Sequence, residues 1–403
     1  MSTARPRIGV LALGTFAIGT DGFVIAGVLP GIARDTGATL ADAGLLVTAF
    51  ALVYALAAPV LTAAVARADR RTVLVAGMTV LAAANAAAAL AHGYGPVMAA
   101  RIVAALGAAA YSPVALAAGV QLSPPQARGR AIALVLGGMT VSLVAGVPLG
   151  ALLGALGSWR WTFAFVAVVA AVCAAGIAVL LPPVPAMPAS SLRARLALLR
   201  RVTVVGNLTA TFLWITGAFV LYTFITPLLT AATGWHGASI STLLLIYGAA
   251  AYAGNAAGGR TADRWGAGRT VTAALCSLLV SMTAAGWAAH LGPAAGTVIV
   301  ILTIIAWPAA GWSLTPAQSH RLVALAPAAG PQVLSLNTSA VYLGIAAGAA
   351  LGGEVIRHTT IAWLGPAAAT LQLLALLLVL SLRARPAPAT RATRSAQLPA
   401  ERA

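Results

Sequence analysis

The sequence contains no lysine; all 24 of its basic residues are arginine. Charge of either sign is scarce: 8% of 403 residues, with only 7 acids. A soluble domain carries about 25% charged residues, so this chain cannot cover its own surface with water-compatible groups. Without lysine there is no Gly-x-x-x-x-Gly-Lys phosphate loop, which excludes an ATP-driven pump within this chain. Cysteine is nearly absent. Cys173 and Cys276 stand roughly a hundred residues apart in apolar runs, without metal or redox spacing, and are expected as small buried hydrophobes. The histidines, His92, His236, His290, His320 and His358, fall mostly in loops and show no paired ligand spacing. No catalytic constellation is present. The chain is read as no enzyme, with no metal and no cofactor.

What is there is apolar. Hydrophobic residues make up 61% of the chain, and a membrane helix needs about 20 mainly apolar residues. Twelve such runs are found, at 8–30, 43–64, 72–92, 95–121, 131–155, 161–181, 202–230, 239–258, 270–289, 294–313, 332–353 and 361–382. The first follows Arg5 and Arg7 but continues past Asp21 to Pro30, too long for a secretory signal. The net charge of +17 would suggest nucleic acid in a soluble protein. Here the arginines sit in short clusters between spans, where basic loops mark the cytoplasmic side. With the N-terminus inside, 20 arginines fall on inside segments and three, Arg34, Arg160 and Arg357, fall outside. A wrong span count would scramble that alternation. The expectation is a multi-pass protein of the inner, cytoplasmic membrane with both termini cytoplasmic, embedded in the lipid bilayer and binding no nucleic acid.

Pro182-Pro183-Val184-Pro185 stops the sixth span. The boundaries expected are a six-helix bundle over 1–181, a cytoplasmic linker over 182–201, a second six-helix bundle over 202–382 and a disordered cytoplasmic tail over 383–403. The halves echo each other. Asp69-Arg70-Arg71 lies between spans two and three, and Asp263-Arg264 between spans eight and nine.

The stretch Gly258-Gly259-Arg260-Thr261-Ala262-Asp263-Arg264-Trp265-Gly266-Ala267-Gly268-Arg269 resembles the loop signature of the major facilitator superfamily. The first-half copy has Val65 where the signature glycine should be. The resemblance implies the family's fold: an all-α membrane protein of twelve transmembrane helices in two pseudo-symmetric six-helix bundles. It also implies a conformational gate at Asp69, Arg70, Arg71, Gly259, Asp263, Arg264 and Arg269. Ordinary positive-inside anchoring is the alternative role for these residues. In the fifth span Gly146-Val147-Pro148-Leu149-Gly150, followed by Gly154, looks like the antiporter signature of the superfamily's exporters. Glycines let helices approach closely in lipid, and proline bends a helix.

The first span, Phe16 to Pro30, is similar to the start of a drug:proton antiporter group that includes chloramphenicol-resistance and arabinose- or purine-exporter-like proteins. Many of those place an acid immediately before the phenylalanine. Here Gly22 holds that place and the acid is Asp21, a helical rotation of about 100°. Asp21 is the only acid deep within an apolar span, and intramembrane ionisable groups are functional candidates. Arg101, the only arginine inside a span, resembles the family's fourth-helix arginine. At 1.5 Å per residue Asp21 lies ~13 Å and Arg101 ~9 Å from the outer ends of their spans, so the two can meet. The expectation is proton coupling at Asp21 and Arg101. The alternatives are a structural carboxylate and an arginine snorkelling to the surface.

In this fold spans 1, 4, 7 and 10 line the pathway. The resemblance therefore makes Phe16, Tyr111, Asn207, Trp214, Tyr222 and Trp307 substrate-binding candidates, with Tyr54, Tyr247, Asn337 and Tyr342 on flanking spans. Glu354 and Arg357 are expected as a local ion pair, and Trp159, Arg160 and Trp161 as an outer interface. The reading is a monomeric exporter of small-molecule substrates such as chloramphenicol, driven by protons. Alternatives are a proton-coupled exporter of a sugar, purine or amino acid derivative, a proton-coupled importer, and a non-transporting membrane receptor or scaffold.

Overall fold

A computed structural model describes residues 4–186, 196–288 and 290–384. Among them are 12 helices long and apolar enough to cross a membrane. They are, in order, spans 1 to 12: Pro6–Thr36, Leu40–Ala64, Arg70–Leu90, Tyr94–Gln121, Pro125–Leu156, Trp159–Leu180, Val202–Tyr222, Ala238–Trp265, Ala267–Ala288, Pro293–Leu325, Pro327–His358 and Ile361–Arg383. A lipid-facing chain must satisfy its backbone internally, and the helix does so within one segment. The spans form two bundles of six. Leu56, Val60, Val168, Val179, Val280 and Leu302 are exposed on the outside, as lipid-facing positions require. Trp161, Trp265, Trp287 and Trp363 are exposed near span ends, where indole rings suit the headgroup level.

Local sequence sets the ends. Span 2 opens with a capping box: Asp42 N–H donates to Thr39 Oγ1 at 3.1 Å, and the Asp42 carboxylate accepts from the Thr39 backbone. Asp69 caps span 3 and Ser158 caps span 6. Gly266, at φ 85°, takes a backbone conformation costly for other residues and ends span 8.

Several boundaries differ from the hydropathy reading: span 1 continues past the expected 30 to Thr36, and span 11 extends beyond 332–353 to Pro327–His358. The seventh run divides into Val202–Tyr222 and a short helix, Ile225–Thr233. Pro227 has no N–H to give the Thr223 carbonyl, and its ring would clash there. Spans 8 and 10 run past the expected ends, 258 and 313, to Trp265 and Leu325. Hydropathy falls where polar residues begin, but the helix continues into the interface. The segment from Gly259 to Trp265 is thus helix rather than loop, as are His320 and Arg321. Cys173 is buried as expected, but Cys276 is exposed, on the outer face of span 9. Part of the linker, including Arg193 and Arg195, and the tail beyond 384 lie outside the described residues.

The halves meet unevenly. Among the described residues every hydrogen bond, ion pair and ring stack between them lies at or beyond the level of Tyr54 and Tyr342, toward the arginine-poor end. Spans 2 and 11 are joined by the Tyr54–Tyr342 stack, by Thr48 Oγ1 donating to the Ala346 carbonyl at 3.2 Å, and by Arg357 Nη2 on Asp42 Oδ1 at 3.0 Å. Phe23 of span 1 meets Phe219, Tyr222 and Trp312 of the other half.

Candidate functional site

Glycines hold span 5 against span 1. A Cβ on Gly138 would collide with Thr15 and the Ala12 carbonyl, on Gly146 with Thr20, on Gly150 with Val24, and on Gly154 with Val28. From Gly146 outward the contact ladder advances four residues at a time on both helices, about one turn of each. Between its rungs, Ser142–Gly146 forms a π-helical turn, in which Val147 N–H reaches the Ser142 carbonyl. Pro148 follows and offers no N–H of its own. The widened turn abuts the other half, since a Cβ on Gly248 of span 8 would strike the Leu143 carbonyl. Span 5 therefore touches span 1 on one side and span 8 on the other, at a point where its backbone hydrogen bonding is irregular.

Span 1 carries Asp21, fully buried, and span 4 carries Arg101, 1% exposed. Arg101 Nη1 donates to Asp21 Oδ1 at 2.5 Å, and Nη2 to the Asp21 carbonyl oxygen at 3.2 Å. The guanidinium carbon lies 4.4 Å from the centre of the Phe50 ring and 5.9 Å from that of Phe163, within cation–π range. Snorkelling is excluded: Arg101 points inward to a partner. Two atoms of the pair are left over. Among the described residues Asp21 Oδ2 and Arg101 Nε are buried with no hydrogen-bond partner, as is the neighbouring Thr20 Oγ1. Asn85 stands beside the carboxylate, its Nδ2 donating to Leu81 O at 3.0 Å. Removing one partner of such a pair costs about 3–5 kcal/mol. Protonating Asp21 in place would strand the guanidinium in the same way, so proton uptake here must be accompanied by movement of Arg101.

The pair does not open into the space between the halves. Asp21 faces span 4 within the first half. The next residue, Gly22, faces the central cavity together with Gly19, Phe23, Phe50, Phe219 and Tyr342. The cavity is apolar and about 20 Å³, room for roughly one water. A drug-sized site needs about 300 Å³ or more, so this is a closed form of the pathway. Phe50 stands between it and the buried arginine. On the arginine-rich side Tyr54 and Tyr342 stack across the halves at 3.7 Å and 19°, forming a floor. Beside it runs a chain of rings. Phe23 meets Tyr222 edge-on at 5.9 Å, Tyr222 lies 5.3 Å from Tyr247, and Tyr247 meets Trp307 edge-on at 5.3 Å. Tyr222 Oη donates to the Phe23 carbonyl at 3.2 Å, tying the second half to span 1 beside Asp21.

The expected substrate residues thus fall into separate places. Tyr54, Tyr222, Tyr247, Trp307 and Tyr342 join the central ring cluster. Phe16 is half-buried lower on span 1. Tyr111 is buried inside the first bundle, its Oη donating to the Leu11 carbonyl at 2.9 Å beside Cys173. Asn207 and Asn337 belong to a polar ladder in the second bundle. Gln318 Nε2 donates to the Asn207 carbonyl at 2.8 Å and to Thr211 Oγ1, which donates to Asn337 Oδ1 at 2.9 Å. Along span 7 Asn207 is about 22 Å from Tyr222. Trp214 lies between, its carbonyl accepting from Gln372 Nε2 at 2.9 Å. Phe23, Phe50, Phe219 and Trp312 were not among the expected residues. Only Phe23 carried a sequence signal, its place directly after Gly22.

The expected gate residues make contacts within their own halves. Asp69 Oδ1 accepts from Val184 N–H at 2.9 Å and Oδ2 from Thr72 N–H at 3.0 Å. Partial burial works against the Asp69 charge, but the N–H donors of Thr72 and Val184 outweigh it and hold the carboxyl below its ordinary range. Arg70 N–H donates to the Val184 carbonyl at 3.1 Å, and the Arg71 guanidinium to the Ala178 carbonyl. All three clasp the span 2–3 turn to the end of span 6. Asp263 and Arg264 are exposed on the last turn of span 8, and Arg269 opens span 9. A Cβ on Gly259 would meet open space, whereas one on Gly258 would meet the Ser313 backbone of span 10. At the far end Arg357 pairs with Glu354 at 2.5 Å as well as with Asp42. Trp159 is buried and Trp161 exposed, while Arg160 pairs with Asp35.

The Major Facilitator Superfamily description matches residues 11–329. The chain belongs to that superfamily. It is 35% identical to the chloramphenicol resistance protein of Streptomyces lividans over 393 residues, 95% of this chain and 98% of that one. It is 33% identical to the MFS-type transporter YbcL of Bacillus subtilis (strain 168) over 376 residues, 93% and 95% of the two chains. The solved nucleoside transporter NupG superposes with a TM-score of 0.78 over 94% of this chain and 99% of that one, at 13% identity, a likeness of fold. This member of the superfamily is a multi-pass membrane transporter, not an enzyme, and its substrates are small molecules.

Proposed function

We propose that the chain exports small organic molecules, antibiotics such as chloramphenicol among them, in exchange for protons by alternating access. The observation that carries this reading is the buried Asp21–Arg101 pair, with one carboxylate oxygen unpartnered. It sits one residue from the glycine that lines the cavity where the two halves meet. The arginine-rich end is the cytoplasmic side, with both termini there. The halves are joined toward the other side, so this form is closed to the outside, and cargo enters from the cytoplasm by parting Tyr54 from Tyr342. The family relative named for chloramphenicol resistance, similar along nearly its whole length, supports drug export over the other directions and cargoes.

The coupling has a physical form. A proton on Asp21 releases Arg101, and the stranded guanidinium drives the first half to repack. The energies are commensurate. Breaking the pair costs about 3–5 kcal/mol, and a proton crossing roughly 150 mV supplies about 3.5 kcal/mol. Coupling passes through span 1, whose cavity side is Gly22 and Phe23, and through the glycine ladder to span 5. The protein works as a monomer.

The test is proton movement in vesicles on addition of chloramphenicol or a cationic dye, comparing wild type with Asp21→Asn. Proton flux in the wild type that is lost in the variant is the expected result. Equal flux in both would make Asp21 structural and sink the coupling scheme. Silence of the wild type toward every drug, with a response to sugars or purines, would replace drug export with metabolite export.

A further inference from the structure

A second, larger cavity opens at the arginine-rich end of the second bundle. It measures about 280 Å³ and is lined by Thr203 and Asn207 of span 7, His320, Arg321, Ala324 and Leu325 of span 10, and Leu382 of span 12. Its span 10 residues lie five residues or fewer from the end of that span, within ~8 Å along the helix and so at headgroup depth. It is separate from the ring cluster around Phe23.

Its polar atoms are unfinished. Among the described residues Arg321 Nη1 is buried without an acceptor, and Asn207 Oδ1 is buried without a donor. The Asn207 amide cannot turn to remove the deficit, because its Nδ2 already donates to the Thr203 carbonyl at 2.8 Å. A buried unpaired polar group costs about 1–3 kcal/mol, and more when it is charged. Charge adds a second demand. Arg383 is close enough to repel Arg321, and Arg269 is close enough to repel Arg383. None of the three has a carboxylate partner among the described residues. A ligand that completes this site must bring anionic oxygens for Arg321 and a hydroxyl hydrogen for Asn207 Oδ1. It must also be small enough for 280 Å³.

We propose that this cavity binds a phosphate group carrying or adjoining a hydroxyl, the chemistry shared by a phosphatidylglycerol headgroup and inorganic phosphate. Basic recesses between membrane helices on the cytoplasmic side suit anionic headgroups, and Leu382 with Leu325 gives an acyl chain an apolar way out. The lipid is the expected source. The bound anion neutralises Arg321, with Arg383 and Arg269 close by, and fastens spans 7, 10 and 12 at that end, whatever cargo the protein carries.

The test uses full-length protein purified in detergent, with native mass spectrometry and thermal unfolding. Phosphatidylglycerol, phosphatidylcholine and inorganic phosphate are added in separate arms. The expected result is one phosphatidylglycerol bound in preference to phosphatidylcholine. Arg321→Gln should weaken it about tenfold or more, as loss of a charged hydrogen bond does. Leu382→Trp, which fills the recess without touching charge, should weaken it comparably. Stabilisation by millimolar phosphate alone, abolished in Arg321→Gln, would assign the same site to the free anion. Binding of neither, or equal binding by wild type and both variants, overturns the proposal. If the variants do not fold, hydrogen exchange on the wild type decides. Protection at 203–207 and 320–325 on adding either anion supports the site, and unchanged exchange there refutes it.

Discussion

Removing Arg101 and removing Asp21 should not be equivalent. Both groups are wholly desolvated and joined at 2.5 Å, so either deletion strands a charge. A stranded guanidinium cannot shed its proton in a protein, and Asp21→Asn therefore bears the full penalty of about 3–5 kcal/mol at every pH. A stranded carboxylate has an exit, because it can be held neutral. In Arg101→Met that neutrality costs the free energy of protonating an ordinary carboxyl, which titrates near 3.9 unfolded, at about 1.36 kcal/mol per pH unit. The penalty is then about 1.5 kcal/mol at pH 5 and about 4.2 kcal/mol at pH 7. The sign follows from linkage: the variant's folded state holds a proton that its unfolded state lacks, so its stability falls as pH rises. The double variant, Asp21→Asn with Arg101→Met, strands nothing and should recover most of the loss. The assay is thermal unfolding in detergent at pH 5, 6, 7 and 8, with the wild type subtracted at each pH. At about 2 °C per kcal/mol for a large chain, Arg101→Met should lie ~3 °C below wild type at pH 5 and ~8 °C below at pH 7. Asp21→Asn should be flat across the series. An Arg101→Met deficit that does not change with pH, or a double variant no better than either single, would refute the picture of a sealed, mutually neutralising pair.

Gly146→Val drives a side chain into Thr20 and should cost about 1–3 kcal/mol as overpacking while abolishing transport. Thr20→Ala in the same chain should restore part of the folding yield, measured by size exclusion of the detergent-solubilised protein. Asp42→Asn removes the Arg357 ion pair between the halves, both side chains being well exposed. Solvent screens such a pair, so the effect should be small: the open-outside population should rise modestly, read by spin-label distances across spans 2 and 11, and the swap Asp42→Arg with Arg357→Asp should reverse it. Asp69, whose carboxyl is held below its ordinary range, should clasp Val184 fully above about pH 4 and lose that contribution as pH falls further. Hydrogen exchange at the Val184 amide should therefore accelerate only in acid, and Asp69→Asn should exchange faster at neutral pH. Cys276 is exposed on the outer face of its span and Cys173 is buried, so an apolar maleimide should label one site, and Cys276→Ser should abolish it.

The span pattern was legible because lipid imposes one rule on length and one on charge, and both leave marks in composition. Twelve runs separated by arginine clusters correspond to the twelve helices, with Pro227 and the interfacial turns at the ends of spans 1, 8, 10 and 11 accounting for the largest differences. The meeting of Asp21 and Arg101 was also within reach, since rise per residue alone puts them at similar depth. Facing was not legible. A helix buried against several neighbours and bathed in lipid elsewhere is apolar all round, so no stripe reveals which side meets the pathway. Tyr111 and Tyr54 look alike in sequence, yet one is sealed in the first bundle by the Leu11 carbonyl and the other stacks across the halves. Phe50 and Phe219 gave no signal because aromatic residues in an apolar run are ordinary packing until a partner helix is placed beside them. The π turn at Ser142–Gly146 was hidden for a similar reason: Pro148 announces a disturbed helix but not which carbonyl the next N–H will choose.

The one-residue displacement of the acid from Gly22 to Asp21 has a structural meaning. A carboxylate at position 22 would look into the central cavity, where a Cβ has open space and meets only Phe50 at 3.9 Å. At position 21 it looks away, into span 4, and finds Arg101. The residues lining the central cavity are uncharged, chiefly aromatic rings, aliphatic groups and glycine, so cargo meets shape and ring faces rather than an ion. In the proposed exchange the proton and the cargo then occupy different compartments, separated by Phe50. Competition between them for a shared carboxylate is replaced by competition between two packings of span 1. That makes the rigidity of the span 1–span 5 glycine ladder a condition of coupling. It also predicts that Gly22→Asp should admit cationic cargo to the cavity without abolishing the Asp21–Arg101 pair. Dye uptake into inverted vesicles should show selectivity moving toward cations in Gly22→Asp while proton exchange persists. Unchanged selectivity would mean that Gly22 does not face the cargo, and the division between the two compartments would fall with it.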